Sequence, residues 1–444
     1  MARETGRRQG RDTPPCPNPQ AGSDGMRINA DRLWRDLTEL SHIGRGEKGI
    51  SRLAFSPADM EGRRWLMGKF EEAGIPARID GYGNVFGRLE GKRPKEDPRH
   101  QGGLILVGSH IDTVPEGGMF DGALGVLAGL ECLRTLRESG MDLPCAVEVA
   151  AFANEEGARL SPGTFGSRVL LEGVSQSEWS KVYPVLEEAG LDGGGGPGPT
   201  LNPETIRAYL ELHIEQGGIL DRSGEDIGVV EGIVCIQLFH AIFEGEANHA
   251  GTTPMDIRKD ALQGAAELVL SVPSTVRELG SGRTVGTCGR VEVSPGGRNI
   301  IPGRVEVSVE VRDLSEEVAG KVVESLRKKA LAIASARGLK VELTPVSVTP
   351  GAAMCPEIQD IIEAEARALG LSVRRMPSGA GHDAMTFGRK VPSGMIFVPS
   401  RGGISHSPLE WTSKEQCAAG AQVLLRTLVA LASRRDSLSL PRLS

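Results

Sequence analysis

Thiolate chemistry is the first thing missing from these 444 residues. The seven cysteines, at 16, 132, 145, 235, 288, 355 and 417, are odd in number and show no CxxC spacing. Such scatter argues against a disulfide framework and against a metal site built from sulfur, and it suggests a reducing cytoplasm. No apolar run reaches the length of a membrane span, and the N-terminus has no apolar core of a secretory signal. Also missing is any block of basic residues interleaved with aromatics to offset the net charge of −7. Neither a membrane nor a nucleic acid is therefore an expected partner.

A hydrophobic share of 39% with 25% charged residues describes a globular chain able to bury a sizeable core. Its length predicts two or three domains. Residues 1–26, rich in proline and glycine without periodicity, read as a disordered tail. Helical patterning is expected from Asn29 to Leu40 and again after Ser56-Pro57. A hairpin over 77–89 should turn near Gly81-Tyr82-Gly83-Asn84, and 92–101 reads as a charged loop.

Polar residues gather where apolar runs stop. The buried-strand pattern at 104–107 leads to His110 and Asp112, then through a glycine-rich loop to Asp121, ahead of a helical run over 126–136. Such strand-to-helix junctions are where α/β sheets keep their chemistry. An imidazole and a carboxylate there offer two ligands for a divalent ion, with Asp112 placed to orient the His110 ring. A second apolar run, 145–152, ends in Asn154-Glu155-Glu156. Adjacent carboxylates point in different directions, so one can hold metal while the other faces a water. In Tyr209-Leu210-Glu211-Leu212-His213-Ile214-Glu215-Gln216, alternation places Glu211, His213 and Glu215 on one polar strand face.

From 224 the pattern changes. Strands are expected over 229–246, 284–293, 304–312 and 339–348, and helices over 256–272 and 315–336. Helix-strand patterning then resumes at Pro356. Residues 223–340 are accordingly read as a small α+β domain inserted into a larger one formed by 27–222 and 341–434. Arg312 interrupts a valine alternation at a strand end and is suited to gripping a carboxylate. Of the eight histidines, His110, His213, His249, His382 and His406 lie in glycine-rich, strand-terminal contexts. The other three, His42, His100 and His240, read as structural. The glycine run at 193–198 reads as a surface loop.

Seven motifs occur in order: GSHIDTVPEGGMFDGALGVLAGLE at 108–131, FANEEGARL at 152–160, ELHIEQG at 211–217, ANHAGTTPM at 247–255, NIIPG at 299–303 followed by VRD at 311–313, SGAGHDA at 378–384 and GISHSP at 403–408. Together they resemble the dinuclear-metal amidohydrolases that include N-carbamoyl-L-amino-acid hydrolases, allantoate amidohydrolases and β-ureidopropionases, a branch of the aminoacylase and carboxypeptidase superfamily. That resemblance implies an α/β fold, with a mixed-sheet metallohydrolase catalytic domain and an inserted α+β lid that also forms a homodimer. It implies two divalent ions, zinc or else manganese, cobalt or nickel. His110, Asp121, Glu156, His213 and His406 would be their ligands, with Asp121 bridging. Glu155, supported by Asp112, would be the catalytic base, taking a proton from water and returning it to the leaving nitrogen. Gln216, His249, Asn299, Arg312 and Gly381 would grip a small carbamoyl or ureido substrate, some of them across the dimer. Cys288 replaces the valine usual in that family, a change small enough to leave the site intact.

Overall fold

The structure, a computed structural model, describes residues 25–91, 103–141, 143–434, 436 and 438–441. Nearly all of the stretch read as a tail, and the loop at 92–101 with His100, fall outside those residues. Six strands come first: β1 (Ala77–Ile79), β2 (Val85–Leu89), β3 (Leu104–His110), β4 (Val147–Phe152), β5 (Ile206–Ile214) and β6 (Ile227–Ile233). Next come β7 (Cys235–Glu244), β8 (Val285–Thr287), β9 (Val291–Ser294), β10 (Arg304–Asp313), β11 (Lys340–Leu343) and β12 (Ser347–Thr349), and the chain then forms β13 (Ala352–Ala353), β14 (Val373–Ser378) and β15 (Ser393–Val398). The first six and last three make one mixed sheet in the order β1-β2-β4-β3-β5-β15-β6, with β13 and β14 both pairing with β6. The middle six make a separate antiparallel sheet.

A second sheet thus occupies the middle of the chain, and its strands do not begin and end at the expected 223 and 340. β6 pairs in the large sheet, whereas β11 and β12 pair with β7 in the small one. Hydrophobic alternation reports that a segment is extended but not which sheet it joins. The single strand expected over 229–246 is two strands, because the chain crosses between sheets at Val234, whose N–H donates to the Ser378 carbonyl at 3.1 Å. Pro345, which has no N–H to give a ladder, separates β11 from β12. Likewise 284–293 divides into β8 and β9. The helix expected at 256–272 begins at Ala261, where the Asp260 carboxylate accepts the Leu262 N–H at 2.9 Å, and it runs through Pro273 to Leu279.

β4, β3, β5 and β15 are mutually parallel and form the centre of the large sheet. Every residue of β3, β4 and β15 is buried, as expected of parallel strands covered on both faces. β5 departs from the amphipathic reading, since Glu211, His213 and Glu215 are buried along with Leu212 and Ile214 between them. Helix Ala123–Glu138 lies directly on β5: a Cβ on Gly125 would stand 2.3 Å from the Leu212 carbonyl oxygen. Helix Lys414–Ser433 packs beside it. That helix is long and apolar enough to cross a membrane by length and composition, and two thirds of its apolar window is buried inside the fold. Helix starts follow local chemistry, with Asn29 and Ser56 side chains accepting the N–H groups of Arg32 and Asp59 at 3.0 and 3.2 Å.

Candidate metal centre

Four parallel strands ending along one edge deliver the polar residues to a common point. His110 closes β3, Glu155 and Glu156 follow β4, His213 lies near the end of β5, and the loop after β15 carries His406. Asp121 arrives from the glycine-rich loop ahead of helix Ala123–Glu138. His110 Nδ1 is 2.9 Å from the Asp112 carbonyl oxygen and His213 Nδ1 is 2.8 Å from that of Ile214. A carbonyl only accepts, so Nδ1 carries the proton in both rings and Nε2 presents a lone pair. His213 Nε2 stands 3.1 Å from Asp121 Oδ1, and His110 Nε2 stands 3.7 Å from the same oxygen. On the other side, His406 Nε2 lies 3.3 Å from Asp121 Oδ2 and 3.4 Å from Glu156 Oε2. Two triads result, His110–Asp121–His213 and Asp121–Glu156–His406. In each, the ligand atoms lie within 4.8 Å of one another.

Lone pairs facing lone pairs require a cation. Asp121 Oδ1 is buried with no hydrogen-bond partner. Without ions, protons take their place. Burial opposes charge on His213, but the Asp121 carboxylate prevails and its pKa rises to about 9. Asp121, aided by Glu156 and against the opposing effect of burial, brings His406 to about 9 as well. Burial and the neighbouring Asp121 push Glu156 up to about 8. Burial, then Asp59, raises Asp112 to about 7, and burial with Asp383 holds Glu155 well above its ordinary range. Burial lowers His110 to about 4. Asp112, Glu155 and Glu156 thus resist ionisation until positive charge is supplied, whereas Asp121, against its burial, is held well below its ordinary range by His213 and His406; divalent ions fit that need.

Glu155 belongs to neither triad, yet its Oε2 is 3.5 Å from His110 Nε2. Asp112 acts differently from expectation. Its backbone carbonyl, not its carboxylate, receives the His110 proton. The carboxylate instead accepts the N–H groups of Glu155 and Glu156, both at 3.3 Å, so Asp112 aims the acidic pair rather than the imidazole. Four non-glycine residues at or beside the centre, Asn154, Thr164, Gln216 and His406, hold φ between 53° and 59°. That left-handed strain is tolerated only where surrounding contacts over-determine the backbone.

A cavity of about 700 Å³ opens onto the five candidate ligands and Glu155, and Gln216, Arg312 and Gly381 also line it. Gln216 Nε2 donates to Asp121 Oδ2 at 2.9 Å. Arg312 reaches from β10 to donate to the Gly379 carbonyl at 2.6 Å, and its Nε meets Glu310 at 2.8 Å. His249 and Asn299 do not line this cavity. They lie exposed and side by side at one end of the inserted domain, where the Ala250 N–H donates to the Asn299 carbonyl at 2.9 Å. Sequence reasoning missed Glu410 and Ser405, which touch Asp121 or its backbone, and the ion pair of Arg389 with Glu172 at 2.9 Å on the cavity wall. Glu410 stands only four residues beyond His406, the one available signal.

A profile of the peptidase family M20/M25/M40 matches residues 106–430. The chain belongs to that family. It is 38% identical to an N-carbamoyl-L-amino acid amidohydrolase of Geobacillus stearothermophilus, the match covering 91% of this chain and 99% of the relative. An allantoate amidohydrolase of Bacillus subtilis (strain 168) is 34% identical, over 86% and 93% of the two chains. Among solved structures, an amidase of the hydantoinase/carbamoylase family from Burkholderia multivorans superposes with a TM-score of 0.85 at 34% identity, over 92% and 99%.

Proposed function

We propose that this M20-family chain hydrolyses the carbamoyl C–N bond of N-carbamoyl-L-amino acids, releasing the amino acid, ammonia and carbon dioxide. The observation that carries this reading is the pair of triads sharing Asp121, with Glu155 left outside both. When bound, two divalent ions polarise the carbamoyl carbonyl and acidify the attacking water. Imidazole and carboxylate donors without thiolates suit zinc, with manganese, cobalt or nickel as substitutes. Glu155 takes the proton from the water and hands it to the leaving nitrogen. Arg312 holds the substrate carboxylate, and Gln216 and Gly381 border the reacting group. In an isologous homodimer, His249 and Asn299 serve the partner subunit's site, which accounts for their distance from the cavity of their own chain.

A second reading is allantoate hydrolysis. The charged pair of Arg389 and Glu172 on the cavity wall gives a second ureido group polar company, and one relative bears that name. Ammonia release from N-carbamoyl-methionine, N-carbamoyl-β-alanine and allantoate, measured on chelated protein with manganese or zinc added back, separates the two. Glu155→Gln should keep its ions while turnover drops by roughly 100-fold or more; unchanged turnover would sink the hydrolase reading.

A further inference from the structure

Glu410 is 4% exposed, lies in the loop that carries His406, and belongs to neither the donor set nor the proton shuttle. Its Oε1 accepts the backbone N–H groups of Phe120 and Asp121 at 2.8 and 3.1 Å. Its Oε2 accepts the Ser405 hydroxyl at 3.0 Å, and that same hydroxyl oxygen is 3.0 Å from Asp121 Oδ2. Room for the carboxylate depends on Gly118, where a Cβ would stand 2.3 Å from Oε1. The two loops joined here are about 290 residues apart. Neither is part of a sheet ladder, so these side-chain bonds tie the shared ligand Asp121 to the loop of His406.

We propose that Glu410 is a positioning residue for the metal centre, clamping the Asp121 loop to the His406 loop so that the ion held by Asp121, Glu156 and His406 finds its ligands already placed. The claim rests on the two-ion reading above. Charge-assisted bonds to two main-chain N–H groups fix the Asp121 backbone, and Ser405 fixes its carboxylate. Removing the carboxylate strands both N–H groups in a buried place. Outer partners of metal ligands typically affect ion affinity by about 10–100-fold. Glutamine keeps an acceptor for the two N–H groups. Its amide donates to Ser405 Oγ, freeing that hydroxyl to donate to Asp121, so the amide preserves the clamp where alanine does not.

The test is calorimetric titration of chelator-stripped, full-length protein with Mn²⁺ or Zn²⁺, with ion content by plasma mass spectrometry and fold by far-ultraviolet circular dichroism. Wild type should take two ions, Glu410→Ala should bind at least one of them about tenfold or more weakly, and Glu410→Gln should recover most of that loss. Wild-type affinity for both ions in Glu410→Ala, or equal losses in the alanine and glutamine variants, would overturn the clamp alone. Should Glu410→Ala fail to fold, Ser405→Ala decides: weakened binding supports the clamp and unchanged binding overturns it. Failure of the wild type to take two ions would overturn the two-ion reading and the clamp with it.

Discussion

One hydrogen bond per ring sets the chemistry of His110 and His213. Each gives Nδ1–H to a main-chain carbonyl, and Nε2 is left to face Asp121. The donors themselves were legible in the sequence, because imidazoles and carboxylates at the ends of apolar runs have few other reasons to gather there. What Asp112 bonds to was not legible. Its partners, the N–H groups of Glu155 and Glu156, come from another strand end and exist only in the folded chain. Glu410 was hidden for the same reason, since its targets are backbone groups about 290 residues away. The crowded carboxylates also make a pH prediction for chelated protein. Glu156 holds its proton to about 8, and His213 and His406 to about 9, against 4.5 and 6.5 for unperturbed groups. Between pH 6.5 and 8 the folded state therefore binds more protons than the unfolded one, and stability falls as pH rises. His110, held down to about 4, acts in the opposite sense only below 6.5. Saturating metal should reverse the slope, because ligands must be deprotonated to bind it. Calorimetric melting at pH 6.5 and 8, with chelator and with metal, checks both signs; a metal-free midpoint that climbs with pH would contradict them.

Parallel strands β4, β3, β5 and β15 act as a jig, and the loops at their ends need only short reach to assemble two triads. Apolar, β-branched runs made β3 and β4 readable in the sequence. β5 misled, because the alternation of Glu211, His213 and Glu215 looks like a solvated face when it is a buried polar seam. Glu211 there accepts the Ser109 and Tyr209 hydroxyls at 2.9 and 3.0 Å and the Ala384 N–H at 2.8 Å. The start of helix Ala123–Glu138 is equally constrained. Gly122 has φ +64°, and a Cβ there would lie 2.4 Å from the His110 ring. Gly122→Ala should destabilise the chain by about 1–2 kcal/mol through the left-handed backbone and weaken ion binding by about tenfold or more through the displaced ring. Gly140→Ala provides the control, having φ +66° and open space around the added methyl. It should show the backbone cost in thermal denaturation and leave ion content unchanged; equal ion loss in both variants would rule out the ring-contact explanation.

Across the whole molecule, the change of pattern after residue 224 falls close to where the chain enters the second sheet, while the limits of that sheet depended on which ladder each strand joined and so lay beyond periodicity. Arg312 spans the two domains, linking β10 to the Gly379 carbonyl beside the cavity, whereas His249 and Asn299 sit apart from it. If those two complete a partner's site, mixing inactive Glu155→Gln and His249→Ala subunits by dissociation and reassociation restores one intact site in each mixed dimer, about a quarter of wild-type turnover at equal input. No recovery despite proven exchange would place His249 outside catalysis across the dimer. The centre itself is tested most directly by anomalous diffraction from crystals of the manganese-loaded protein, recorded at the metal's absorption edge. The account predicts two peaks flanking the Asp121 carboxylate, one within ligand distance of His110 and His213 and the other of Glu156 and His406. A single peak, or peaks that leave Asp121 without a metal on each oxygen, would contradict it.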